Sequence, residues 1–261
     1  MALHLSKSST SRLRRAVFAR EAARLGNIEK AVCERMDMSL VCSLDDAARF
    51  KQMQENGHYV VVPNGVDTEY YRPLDPSREV PGTLVFTGAM NYYPNEEASL
   101  FLCRKILPMV RDANPLARVV LVGRDPTRKV RGLHNGKSII VTGRVADVRP
   151  YVEQAQAFVV PLQHGGGTRL KILEAFAMGK AVVATPLGAE GIPARHDKEI
   201  LLADDADSFT RQVISVLRNG DLRRRLGGAA RQLAHDRFAW SCVERSVRES
   251  YCSLATCRKE K

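Results

Sequence analysis

Long apolar runs, paired cysteines and the common phosphate-loop signatures are all missing from this 261-residue chain. No apolar stretch reaches the roughly 20 residues that a membrane-spanning helix needs. Residues 1–10 lack the apolar core of a secretory signal, so the expectation is a cytoplasmic protein. The six cysteines, at 33, 42, 103, 242, 252 and 257, include no Cys-x-x-Cys pair, and no histidine spacing completes a zinc set. They read as reduced thiols, with Cys103, among Phe101, Leu102 and Ile106, as a small core residue. No Gly-x-Gly-x-x-Gly follows the first strand of the regular region, which disfavours an NAD-type dehydrogenase. No Gly-x-x-x-x-Gly-Lys-Ser/Thr occurs either, which excludes a P-loop NTPase. Aromatic residues make up only 6% of the chain and do not interleave with its basic runs. Base-stacking platforms are therefore not expected, and nucleic acid is set aside as a partner despite a net charge of +11. The basic residues concentrate at 12–35 and 211–231, in helical patterns. An anionic membrane surface and a plain solvated face are the two readings that remain.

What is present is a core. Hydrophobic residues make up 44% of the chain, enough for one large domain or one and a half small ones. Helical patterns at 11–36 and 43–54 alternate with short apolar strands at 38–42 and 59–62. Pro63-Asn64-Gly65 closes the second strand, and an irregular stretch follows. From Gly82 the rhythm is strict. Strands are expected at 84–87, 118–122, 138–141, 156–160, 181–184 and 199–203. Helices are expected at 95–110, 147–154, 168–178, 206–218, 221–235 and 239–257, with Pro108 bending or ending the last turn of the first. Unbroken apolar strands alternating with helices give a parallel sheet covered on both faces. Ligands bind beyond the carboxyl ends of such strands, where Gly88, Gly123, Gly143 and Gly165 to Gly167 fall.

The most informative run is His164-Gly-Gly-Gly-Thr-Arg-Leu-Lys-Ile-Leu-Glu-Ala-Phe-Ala-Met-Gly-Lys-Ala-Val-Val-Ala-Thr185. It reads as a glycine loop, a short helix, a glycine stop and a buried strand. Free N–H groups and the helix dipole make the loop a place for an anion such as phosphate. The helix is apolar on nearly every side, yet Thr168, Lys171 and Glu174 fall on one stripe. One reading is a Lys–Glu pair that serves only the fold. The other is a ligand with an anionic part for Arg169 and Lys171 and a hydroxylated part for Glu174, as in a nucleotide sugar. His164, at the loop edge, reads either as a polar rim residue or as a proton donor or phosphate ligand. No metal site is apparent, and Asp204 and Asp205 lie far in sequence from the glycine loops.

Six segments stand in order: Val62-Pro-Asn-Gly-Val-Asp67, residues 87–95, Leu121-Val-Gly-Arg124, Val141-Thr-Gly-Arg-Val145, Asp147-Val-Arg-Pro-Tyr151 and the 164–185 run. Together they resemble the C-terminal half of a GT-B glycosyltransferase of the family 4 type, over about residues 40–250. The resemblance implies a Rossmann-like α/β fold and a nucleotide-diphosphate sugar as donor, with no cofactor and no metal. It implies transfer to a hydroxyl of a glycan or lipid-linked acceptor in polysaccharide or glycolipid assembly, at most peripheral to the inner face of the cytoplasmic membrane. The N–H groups of Gly166, Gly167, Thr168, Arg169 and Leu170 would hold the diphosphate. Glu174 would take the ribose hydroxyls, and the loop with Gly143, Arg144 and Val145 would lie near the base. Gly88, His164 and Gly165 complete the expected donor set.

Three departures from that family pattern stand out. Of a frequent glutamate pair eight positions apart, the first would fall at Gly166 and is absent. Sugar hydroxyls are then left to backbone N–H groups or other side chains. The frequent Arg and Lys after the first strand are replaced by Gly88-Ala-Met-Asn-Tyr-Tyr-Pro-Asn95. Arg169 and Lys171 are expected to supply that charge as catalytic cations, unless Arg169 is merely a surface arginine. Finally, residues 1–65 read as a remnant of an N-terminal acceptor-side domain, 66–237 as the nucleotide-sugar-binding domain, and 238–261 as a helix crossing back. Open apolar surface, self-association or a separate N-terminal half as partner would follow. A nucleotide-sugar-binding module without catalysis and a GT-B epimerase are the alternative readings.

Overall fold

The computed structural model of the chain describes residues 12–259. It begins with helix α1 (Arg12–Arg35), strand β1 (Ser39–Val41), helix α2 (Leu44–Met53) and strand β2 (Tyr59–Val61). β1 and β2 pair in parallel as a small sheet of their own. Ser43 caps α2 by accepting the Asp46 N–H at 3.0 Å, which satisfies one of the donors a helix start leaves free. Leu25, Ile28 and Val32 of α1, and Met36 just past its end, stand about half exposed.

The main body follows in chain order: β3 (Thr83–Thr87), α3 (Tyr93–Phe101), α4 (Leu107–Ala113), β4 (Arg118–Val122), α5 (Arg128–Arg131), β5 (Ile139–Val141), α6 (Arg149–Gln154), β6 (Ala157–Val160), α7 (Leu170–Ala177), β7 (Val182–Ala184), β8 (Leu201–Leu202), α8 (Ala206–Arg218), α9 (Gly220–Phe238) and α10 (Trp240–Lys259). The six strands form one all-parallel sheet in the order β5-β4-β3-β6-β7-β8. Every residue of β3, β6 and β7 is buried, as a sheet covered on both faces requires. The chain moves outward from β3 to β5, then returns to lay β6 against the other side of β3. That reversal opens a crevice at the carboxyl ends of β3 and β6. The loop after β3 carries Gly88, and the loop after β6 carries the glycine run.

Two expectations need correction. Pro108 neither ends nor breaks its helix. Between α3 and α4 the backbone widens into a π turn, Leu102–Ile106, and the Leu107 N–H donates to the Leu102 carbonyl. The wider turn accommodates a ring that lacks an N–H and crowds the preceding turn, so the helix runs on to Ala113. The second concerns the helix expected from 168. It starts at Leu170, because Arg169 before it takes φ −89° and ψ 90°, outside the helical region.

Several arginines of the 211–231 run are spent on the fold. Arg218 donates to the Ala113 carbonyl, Arg223 to Val216 and Leu217, and Arg225 pairs with Asp197. Asp205 caps α8 by accepting the Ser208 N–H at 2.7 Å. Cys103 is buried, and burial pushes its thiol up to about 12. α10 begins where its chain touches the first unit. The Val66 N–H donates to the Phe238 carbonyl at 2.7 Å, and the Trp240 ring lies where a side chain at Gly65 would stand.

α9 packs backbone to backbone on the end of α7. A Cβ added at Gly227 would lie 2.0 Å from the Gly179 carbonyl oxygen. Gly227→Ala is therefore expected to lower stability by about 1–3 kcal/mol through overpacking, read as a lower urea midpoint. An unchanged midpoint would show that α9 is free to shift.

Candidate functional site

The crevice holds a cavity of about 400 Å³ lined by Tyr71, Gly88, Arg124, Arg144, Val145, Lys171 and Glu174 among others. Its charged lining comprises three cations and one carboxylate, which suits an anionic ligand. Six of the residues singled out from the sequence meet there: Gly88, Gly123, Arg144, Val145, Lys171 and Glu174. Gly143 belongs to the loop that delivers Arg144 but does not line the cavity; its φ of 72° makes the turn.

Lys171 lies at the centre. Its Nζ donates to Asn95 Oδ1 at 2.9 Å and stands 4.2 Å above the Phe86 ring. Gly88 makes the room: a Cβ there would come within 2.7 Å of Asn95 Nδ2 and 2.8 Å of Lys171 Nζ. Asn95 is fixed in turn by donating to the Ala89 carbonyl at 3.0 Å. Burial, with Arg169 nearby adding repulsion, pushes the Lys171 ammonium down to about 7, while Glu174 opposes the shift. One turn along α7, Glu174 moves the other way. Burial raises it above the usual carboxylate range, partly offset by a hydrogen bond from the Tyr71 phenol and by Lys171.

Tyr71 is placed by a clamp. Arg149 binds Asp147 at 2.7 Å, donates to the Tyr70 carbonyl at 3.1 Å, and lays its guanidinium 3.7 Å from the centre of the Tyr70 ring. The Asp147-Val-Arg149 run thus anchors the Tyr70–Tyr71 segment over the cavity. Burial and the Glu174 charge raise the Tyr71 phenol above its ordinary value.

The glycine loop lies beyond Lys171, at the N-terminal end of α7. Gly166 and Gly167 are exposed and Leu170 is half exposed. The His164 ring rests against Tyr93, with centroids 5.8 Å apart. Arg169 departs from the expectation of a cation facing the diphosphate. It is nine-tenths buried, so it is no surface arginine either. Its Nη1 donates to the Gly166 carbonyl at 2.8 Å and its Nη2 to the Leu187 carbonyl at 3.5 Å. A guanidinium held by two carbonyls fixes the loop instead of lining the cavity. Thr168 also turns away from the cavity, toward Gly191. Tyr71, Asn95 and Arg124 went unnoticed as site residues in the sequence. Of these, only Arg124 had a signal, as the last residue of a Gly-Arg pair at a strand end. Among the described residues, no group of three or more His, Cys, Asp or Glu side chains is arranged to hold a metal ion.

The family profile described as "Glycosyl transferases group 1" matches residues 81–219, the part of the chain that builds this crevice. The chain belongs to this family. Among curated relatives, phosphatidyl-myo-inositol mannosyltransferase of Mycolicibacterium smegmatis is 30% identical to this chain over 220 residues. That match covers 80% of this chain and 56% of the relative. An uncharacterized 44.6 kDa protein in the cps region of Klebsiella pneumoniae is 25% identical over 149 residues, covering 52% of this chain and 37% of that protein. The chain thus spans between about a third and three-fifths of the length of its curated relatives. The fold is that of solved glycosyltransferases. Sucrose-phosphate synthase from Thermosynechococcus elongatus superposes with a TM-score of 0.77 at 20% identity, over 98% of this chain and 66% of that one. Anabaena HepE in complex with UDP and glucose superposes with a TM-score of 0.70 at 17% identity, over 91% of this chain and 67% of that one.

The depressed Lys171 gives the chain a pH signature. An unfolded lysine keeps its proton to about pH 10.4, whereas Lys171 in the fold releases it near 7. Between those values the unfolded chain holds the extra proton, so raising the pH stabilises the fold. Relative to Lys171→Met, the wild-type chain should gain on the order of 1 kcal/mol or more of unfolding free energy from pH 7 to pH 9 in denaturant titrations. A pH-independent difference would show that the ammonium is not desolvated.

Proposed function

We propose that the crevice binds a nucleotide-diphosphate sugar and that the protein transfers its sugar to an acceptor hydroxyl. The observation that carries this is the stripe along α7. Glu174, hydrogen-bonded by Tyr71, offers a carboxylate for vicinal ribose hydroxyls. Lys171 one turn earlier offers a cation for the diphosphate, and the free N–H groups of the glycine loop continue the same line. Arg144 and Val145 are the residues for the base end. In the reaction, the bond between the anomeric carbon and the diphosphate oxygen breaks and its electron pair leaves with the diphosphate. The acceptor oxygen bonds that carbon, and its proton passes to the departing phosphate or to water. Charge grows on the diphosphate as the bond breaks, so Lys171 and the loop N–H groups stabilise the transition state more than the ground state. Arg169 acts as the residue that holds the loop in shape.

The names of the relatives support transfer over the alternatives of a binding module or an epimerase. HepE, which shares the fold, is recorded with UDP and glucose. Residues 1–65 and α10 are assigned to the acceptor side, supported by the contact of Trp240 with the 63–66 turn. A glycan or lipid-linked acceptor fits that assignment. So does attraction of the basic residues of α1 to acidic headgroups at a membrane surface. Among the described residues, no helix is long and apolar enough to cross a membrane.

Calorimetric titration with UDP, GDP and their hexose conjugates tests the site. Micromolar binding should weaken about tenfold or more in Glu174→Ala and in Lys171→Met. At pH 8 the bound diphosphate should restore the Lys171 proton. Comparing buffers of different ionisation enthalpy should then report uptake of nearly one proton, absent in Lys171→Met. No binding of any nucleotide by the folded chain would overturn the proposal.

A further inference from the structure

The glycine at 166 removes a side chain from the loop, and the space beside it is not empty. A Cβ built on Gly166 would have a single near neighbour, Glu190 Oε2, at 3.8 Å. That carboxylate oxygen is buried and has no hydrogen-bond partner. Thr168 Oγ1 and Arg169 Nε are buried and unpartnered as well. Two of these unpartnered atoms belong to consecutive residues of the glycine loop and the third to the segment after β7, at the end of the stripe where the donor's sugar would lie. Each such atom keeps its desolvation cost unless something completes it.

The segment that carries Glu190 is built to hold it there. Thr185 Oγ donates to the Leu162 carbonyl at 2.5 Å and accepts the Gly188 N–H at 2.9 Å. Gly188 passes so near β6 that a Cβ would lie 2.6 Å from the Val160 carbonyl oxygen. Gly191 has a φ of 77°, and a Cβ there would meet Thr168 Oγ1 at 2.9 Å. Arg169 ties the two segments together through the Gly166 and Leu187 carbonyls. Lys171 lies one turn before Glu174 near the start of α7, Thr168 precedes the helix and faces Gly191, and Glu190 stands beside the same loop, next to Gly166.

Resting on the donor-binding reading above, we propose that Glu190 supplies the carboxylate that reads hydroxyl groups of the donor's sugar, entering from the segment after β7 into the space left by Gly166. A carboxylate that accepts from two neighbouring hydroxyls favours a hexose bearing a vicinal diol. Arg169, whose charge acts on Glu190, and Thr168, packed against Gly191, flank it.

The experiment compares a nucleoside diphosphate with its hexose conjugate, UDP with UDP-glucose and GDP with GDP-mannose, on the full chain. Glu190→Gln should leave the diphosphate affinity within about twofold and weaken the conjugate about tenfold, since only the sugar's charge-assisted hydrogen bonds are lost. Gly166→Glu combined with Glu190→Gln should recover the preference for the conjugate, because position 166 has open space and an unstrained backbone. Equal weakening of diphosphate and conjugate would make Glu190 a structural residue and overturn the inference. So would a conjugate affinity that Glu190→Gln does not change. Failure of the wild-type chain to bind any of the four ligands would instead remove the donor-binding reading itself, and this inference with it.

Discussion

A lysine ammonium under the edge of a parallel sheet has few groups able to compensate it, and the arrangement around Lys171 follows from that scarcity. Its partners are an aromatic face, one amide oxygen and a carboxylate a turn away. Among the described residues, no carboxylate comes within ion-pairing distance of it. The amide has to be aimed, so Asn95 is pinned to the loop after β3. The tip needs room, so residue 88 has no side chain. The carboxylate has to stay near, so Tyr71 holds Glu174, and Arg149 and Asp147 hold Tyr71. The cavity's contacts mostly trace back to keeping one under-compensated charge in place.

Lys180 provides the contrast. It lies just past the other end of the same helix and is equally enclosed. Yet its ammonium donates to the Glu153 and Ala155 carbonyls and to Glu79, at 2.8–2.9 Å. Every proton on Lys180 has a protein acceptor. Two lysines nine positions apart thus separate scaffold from site by the completeness of their hydrogen bonds. The same criterion marks the turn at 166–169, where polar atoms remain unmet.

Much of this was legible in the sequence, for a physical reason. Buried parallel strands are unbroken apolar runs, and a glycine at a strand end marks close backbone approach. The sheet, the edge that binds and the stripe of Lys171 and Glu174 therefore follow from residue spacing alone. What escaped depends on distance through space. Tyr71 sits in an aperiodic stretch, and only the Arg149 clamp shows where it points. Asn95 looks like an ordinary first-turn residue until Lys171 arrives from 76 positions away. Arg169 shares the charge of Lys171 but starts a helix whose preceding glycines turn it inward. From the sequence Pro108 reads as bending or ending the last turn, because a π turn has no sequence period of its own.

The depressed Lys171 also changes what this residue is chemically. With its ammonium pushed down to about 7, Lys171 holds a substantial share of free amine at neutral pH, whereas a lysine of ordinary basicity is almost wholly protonated there. A free amine carries a lone pair that attacks esters, anhydrides and aldehydes, which an ammonium does not. Lys171, which lines the cavity, is thus poised for acylation at neutral pH. Any anion that restores its proton would shield it, so the covalent reactivity of one side chain reports whether the crevice is filled.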